Sequence, residues 1–168
     1  MNDVYARLAS KLDNLPNGFP PSPSGVEQRI LRKLFTPEDA AWALQLKPFP
    51  ETAGAIARRL GQPLSTVQAR LDDLAGRGLI GAFRHDGQLR YMFVPFVIGI
   101  YEFQLGRMDR ELAELVEEYF PTLMSAVGGR KPAFARVIPV GAHIEARAQV
   151  LPYDALRAAI DRASVFRV

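Results

Sequence analysis

Residues 51–94 read ETAGAIARRLGQPLSTVQARLDDLAGRGLIGAFRHDGQLRYMFV. After Pro50, the residues Ala53, Ile56, Ala57 and Leu60 recur at i, i+3, i+4 and i+7, the apolar face of a short helix. Gly61 follows, where a left-handed position after a helix favours glycine. Ser65, with Gln68 three residues on, reads as the capping box of a second helix. Val67, Leu71, Leu74 and Ala75 form its inward stripe, and Gly76 and Gly78 end it. The connection Gly61–Leu64 is about four residues, the length of a helix-turn-helix with glycine in the turn. Two β-prone runs follow, Leu79–Arg84 and Gln88–Val94. His85-Asp86-Gly87 lies between them, and Asp-Gly in that setting is a strong hairpin signal. Helix, turn, helix, hairpin is the order of a winged helix. A helical pair followed by an unrelated hairpin is the alternative.

The rest of the chain reads as flanking structure. Val4, Leu8, Leu12 and Leu15 predict an N-terminal helix, and Asn17–Gly25 (NGFPPSPSG) is a Pro/Gly-rich linker. Val26–Phe35 is the next helix, with Ile30, Leu31 and Leu34 inward. Thr36-Pro37-Glu38-Asp39 opens another, with proline at its first position and acids at the positive end of its dipole. Trp42 and Leu46 are its expected core contacts. Beyond the hairpin, Phe96–Phe103 is apolar and β-prone. Asp109–Phe120 is an amphipathic helix with Leu112, Leu115, Val116 and Tyr119 on one stripe, and Pro121 marks a break. Gly128–Pro132 reads as a loop, Phe134–Val140 and Ile144–Leu151 as strands, and Tyr153–Ala163 as a final helix. The expected class is α+β. Residues 1–25 form a helix and linker, 26–98 a winged-helix domain, and 99–168 a small α/β segment.

Composition narrows the function classes. The chain has 168 residues, is 48% hydrophobic and contains no cysteine. It can therefore bury a real core, but it offers no disulfide, thiolate nucleophile or iron–sulfur ligand. No apolar run is long enough to span a membrane. The N-terminus lacks the apolar core of a signal peptide, so a cytoplasmic location is the default. Net charge is +3 and the pI about 9.4, a mild lean toward nucleic acid. Residues 1–100 hold twelve Lys+Arg against nine Asp+Glu, whereas residues 101–168 hold nine of each. A DNA-binding surface would therefore lie in the first half.

Catalytic signals are weak. His85 and His143 are isolated, far from the four-ligand spacing of a zinc site. Adjacent Glu117 and Glu118 point in different directions on a helix and read as a solvated face. Gly128-Gly129-Arg130-Lys131 lacks Walker spacing, and no nucleophile elbow or triad is present. The chain reads as non-catalytic, with no cofactor of its own. For double-stranded DNA, Thr66, Gln68, Ala69 and Arg70 are candidates on the second helix, where Gln suits adenine and Arg guanine. Arg84, Gln88 and Arg90 on the wing, with Arg58 and Arg59, could reach phosphates. Asp72, Asp73 and Asp86 oppose this, because carboxylates beside phosphates weaken counterion-driven binding. A solvated mixed-charge face is the alternative.

Several segments also resemble a known family. They are VYARLASKLDNLPNGFPPSPSGVEQRILRKLFTPEDA (4–40), PFVIGIYEF (95–103), EEYF (117–120), RVIPV (136–140) and VLPYDALRAAI (150–160). Together they are similar to the N-terminal region of bacterial and archaeal ferredoxin-type 4Fe-4S proteins, most tellingly at Leu15–Pro20, Phe35–Glu38 and Val150–Tyr153. The resemblance implies a winged-helix-like segment followed by cysteine-rich cluster motifs. Those cysteines would come soon after the segment matching Val165–Val168, so no cluster ligand carries over. A 4Fe-4S cofactor is implied only if a cysteine-rich segment lies downstream. The abrupt end after a helix favours an N-terminal piece of a larger protein over a relative that lost its ferredoxin part.

The implied function is an accessory module of such a protein, docking a protein partner or positioning the cluster domain for electron transfer. The alternative is a DNA-binding transcriptional regulator; a third reading combines the two as a redox-responsive regulator whose cluster domain modulates DNA binding. The helix at Asp109–Phe120 could join a homodimer, although such stripes more commonly pack on their own domain.

Overall fold

The computed structural model describes residues 3–129, all within the first of two compact units, 1–135 and 136–168. The expected strands at Phe134–Val140 and Ile144–Leu151, the helix at Tyr153–Ala163, and His143 lie outside the described residues. The described residues form an α+β fold with seven α-helices and a small antiparallel sheet.

Helix α1 (Val4–Asp13) buries Tyr5, Leu8 and Leu12, at i, i+3 and i+7. Helix α2 (Val26–Leu34) buries Val26, Ile30 and Leu31. Helix α3 (Pro37–Gln45) begins with a complete capping box. The Thr36 hydroxyl accepts from the Asp39 N–H, and the Asp39 carboxylate accepts from the Thr36 N–H. At the other end of α3, the Lys11 ammonium donates to the carbonyls of Ala43, Leu44 and Leu46, at 3.2, 2.9 and 2.5 Å. It also sits 4.4 Å from the centre of the Phe93 ring. Burial, then the Arg59 charge, lowers its pKa to about 8. One side chain from α1 thus satisfies carbonyls that the end of α3 would leave open.

Strand β1 (Glu51–Thr52) leads into α4 (Ala53–Leu60), capped by the Thr52 hydroxyl. Gly61 ends α4 at φ 64°, the expected left-handed position. Helix α5 (Leu64–Gly76) follows and buries Val67, Leu71 and Leu74. The expected Ser65–Gln68 capping box does not form: α5 starts two residues earlier, with Pro63 in the cap position and no side-chain cap. Gln68 is instead bound to Asp72 and Tyr91.

Strands β2 (Gly81–His85) and β3 (Gln88–Met92) pair from Gly81↔Met92 to His85↔Gln88. Asp86 and Gly87 turn the chain at φ 49° and 73°, the two-positive-φ geometry Asp-Gly favours. β1 pairs with the other side of β3, so the sheet order is β1-β3-β2.

Three expectations in the second half need correction. Phe96–Phe103 is not a strand. Pro95 has no N–H for a ladder, and among the described residues no strand pairs with β3 beyond Met92. The chain makes a kinked turn at Phe96–Ile100 and enters α6 (Tyr101–Gln104). Nor does Pro121 end the following helix, α7, which runs Arg110–Gly129 and includes the two glycines expected in a loop. An interior proline is unfavourable by about 3 kcal/mol. Burial of Tyr119 and Leu123 on either side offsets it.

Residues 17–25 form no helix or strand, yet they are not a free linker. Phe19 is 1% exposed and its ring lies 4.8 Å from Phe96 and 4.9 Å from Tyr119. The Tyr119 hydroxyl donates to the Pro20 carbonyl at 2.9 Å. This aromatic group joins the loop and α7 to one hydrophobic core that draws on helices from α1 to α7.

Gly61 and Gly76 separate backbone strain from packing, because a Cβ at either meets nothing within 4 Å. Gly61→Ala should lower stability by about 1 kcal/mol through the left-handed angle. Gly76→Ala, with no such angle at the end of α5, should raise it by up to about 1 kcal/mol. Urea unfolding of the two variants checks the opposite signs.

Candidate interaction surface

The surface built by α5 and the β2–β3 hairpin is held by a carboxylate beneath it. Asp39 is 1% exposed. It accepts from Arg70 at 2.9 Å and from Arg77 at 2.6 and 2.9 Å, in addition to the capping bond from Thr36. Burial works against its charge. The Arg77 hydrogen bond and the Thr36 bonds outweigh that and hold its pKa at about 2. The Arg77 guanidinium is held more firmly protonated in turn, by Asp39 first and then, after a smaller opposing effect of burial, by Asp73. Arg70 also approaches Glu38 at 3.4 Å and Asp73 at 3.5 Å, and Arg77 reaches Asp73 at 2.7 Å. The cluster ties the start of α3 to the length of α5.

A second network joins α5 to the sheet. Gln68 donates to both Asp72 oxygens at 3.0 Å and to the Tyr91 hydroxyl at 2.5 Å, and that hydroxyl donates to Asp72. Burial first, then the Asp72 carboxylate, pushes the Tyr91 phenol up to about 12.

The two side chains on α5 best suited to reading bases, Gln68 and Arg70, are therefore engaged within the protein. Thr66 and Ala69 are exposed beside Asp72 and Asp73. Of the basic candidates, Arg59 is bound to Glu51 and to the Gln45 carbonyl. Arg84 is exposed and donates to the Gly87 carbonyl at 3.2 Å. Arg90 is half-buried, and its Nε is buried with no hydrogen-bond partner among the described residues. Gln88 is exposed, and Arg58 is exposed without an ion pair among the described residues. Around α5, four carboxylates (Glu38, Asp39, Asp72, Asp73) face two guanidiniums (Arg70, Arg77), which leaves the helix surface net acidic. A phosphate backbone brought to α5 would meet repulsion.

The sequence reading missed Asp39 as an organising residue. The Thr36–Asp39 cap was visible in it, but the two arginines lie 31 and 38 residues away. No local pattern announces such a pairing.

The chain does not fit a 4Fe-4S cluster: it has no cysteine, and the described residues contain no group of three or more His, Asp or Glu placed to hold a metal. His85 lies only beside Asp86, at 3.5 Å, with both side chains exposed. Among the described residues no helix is long and apolar enough to cross a membrane. Comparison with protein-family models, curated proteins and solved structures finds no match to this chain.

Asp39 gives the fold a specific acid sensitivity. Its folded-state pKa lies below the ordinary value of 3.8, so its contribution is present above that value. The contribution, about 2 kcal/mol, is lost as pH falls from about 4 to 2. Urea unfolding across this window should show the loss. In Asp39→Asn the slope should flatten, with lower stability at neutral pH.

Proposed function

We propose that residues 51–94 form a winged helix used to dock a protein partner, within a non-catalytic accessory module of a ferredoxin-type 4Fe-4S protein. The winged-helix reading is supported by the element order β1-α4-α5-β2-β3 and the sheet order β1-β3-β2. The docking reading rests on one observation: Arg70 and Gln68 of α5, and Arg77 just past its end, are consumed by Asp39, Asp72 and Tyr91. Outward, α5 presents Leu64, Ser65, Thr66, Ala69, Asp72 and Asp73, chemistry suited to a protein surface and opposed to a polyanion. The hairpin adds exposed Phe83 and Leu89. The ferredoxin context comes from the sequence resemblance. With no cysteine in this chain, a cluster would belong to a cysteine-bearing segment or partner that this module positions.

Two measurements test the proposal. Fluorescence anisotropy with a labelled random duplex at about 50 mM salt should show no binding, although low salt favours any phosphate-driven contact. Salt-sensitive binding that weakens in Arg84→Ala or Arg90→Ala would replace docking with DNA recognition. Protein purified anaerobically from its native cells should carry broad brown absorbance, in its own chain or a co-purifying one. A colourless product would remove the ferredoxin context. Arg70→Ala should act on stability, lowering it by roughly 2 kcal/mol because Asp39 keeps Arg77. Its duplex anisotropy should match that of the unaltered chain.

A further inference from the structure

Ile98 is the only β-branched residue with positive φ among the described residues, at φ 57° and ψ 54°. The left-handed region costs L-residues roughly 1–2 kcal/mol, and β-branched residues suit it least. Its side chain is nevertheless 65% exposed, so no packing inside the described fold offsets the strain. The surroundings fix this backbone firmly. Asn17 Nδ2 donates to the Val97 carbonyl at 2.7 Å, and the Gly99 N–H donates to Glu102 at 2.7 Å. The Ile100 N–H donates to the Pro95 carbonyl at 3.0 Å, and Phe96 is locked into the aromatic group. A strained residue that its neighbours over-determine, with its side chain presented outward, points to a use for that side chain.

Ile98 walls a groove of about 230 Å³, with Val97 and Tyr101 beside it and Phe120, Met124 and Val127 across it on α7. Phe120 and Met124 are 41% and 40% exposed. The three α7 residues stand at i, i+4 and i+7, a stripe about 10 Å long. That length matches two turns of a partner helix with apolar residues at helical spacing.

Charge gives the occupant its second property. Glu102 lines the groove, and among the described residues no lysine or arginine does. Glu117 lies one turn before Phe120 on the same stripe, exposed and with no ion pair among the described residues.

We propose that this groove receives an amphipathic helix of a partner protein, with apolar residues against Ile98, Phe120 and Met124 and Lys or Arg beside Glu102 and Glu117. The groove lies outside residues 51–94, so it is a second contact site beside the face proposed for docking on α5 and the hairpin.

The test uses the full chain and a labelled Leu/Lys amphipathic helix of about 14 residues, roughly four turns, with a Leu/Glu helix as its control. The Lys helix should bind at least about tenfold tighter than the Glu helix. Asn tolerates the left-handed angle, so Ile98→Asn should keep or raise the melting temperature while weakening binding about tenfold or more. Met124→Glu should weaken binding likewise, and Glu117→Gln should narrow the preference for the Lys helix. Equal binding of both helices, no binding, or binding insensitive to Ile98→Asn and Met124→Glu would overturn the groove and leave the docking reading standing. So would a dimer in sedimentation equilibrium that Met124→Glu dissociates, since a second copy would then be the occupant. Duplex binding in the earlier assay would remove the docking reading itself.

Discussion

Asp39 carries a full charge at 1% exposure, and the arrangement of α3 and α5 depends on keeping it there. A carboxylate without partners in that position would protonate or move to water. Arg70 and Arg77 prevent both, one from the middle of α5 and one just past its end. The Thr36 cap adds the backbone of α3 to the same group. One buried charge thereby sets how α5 lies against α3. Lys11 does the parallel work at the other end of α3, where it covers three carbonyls from α1.

This internal use of cations has a consequence for the surface. A chain with net charge +3 looks mildly suited to nucleic acid. Net charge counts side chains without regard to where they are spent. Arg59, Arg70 and Arg77 are committed to Glu51, Asp39 and Asp73. Asp72 is left at the surface, linked to the sheet through Gln68 and Tyr91. The surface of α4 and α5 therefore has a chemistry different from what the composition suggests.

The second half of the described chain follows the same logic with apolar groups. Phe19, Phe96 and Tyr119 form a cluster that fastens the proline-rich loop and α7 to the core. Helix α7 continues through Pro121 because Tyr119 and Leu123 remain buried on either side of it. The same anchoring forces the backbone after Pro95 into the turn that presents Ile98. Strain at Ile98 and burial at Phe96 belong to one constraint: the chain must leave β3, place an aromatic ring in the core and start a helix within a few residues.

Patterns carried by near neighbours were legible in the sequence alone. The stripes of α1, α2, α4 and α5, the Thr36–Asp39 helix start, the glycine after α4 and the Asp-Gly turn follow from periodicity and backbone preference, which act over about one helical turn. Local reading failed where distant groups decide. Ser65 and Gln68 have the spacing of a cap, but Tyr91, 23 residues away, takes Gln68. Phe96–Phe103 is β-prone, but among the described residues no strand pairs with it. The candidate DNA contacts at Gln68 and Arg70 had the right residue types, and only the folded chain shows them occupied from within. Sequence fixes which groups can bond. Which bonds form depends on distances that exist only after α3, α5 and the sheet have packed together, because a charge or hydroxyl removed from water must take whatever partner the tertiary structure brings within reach.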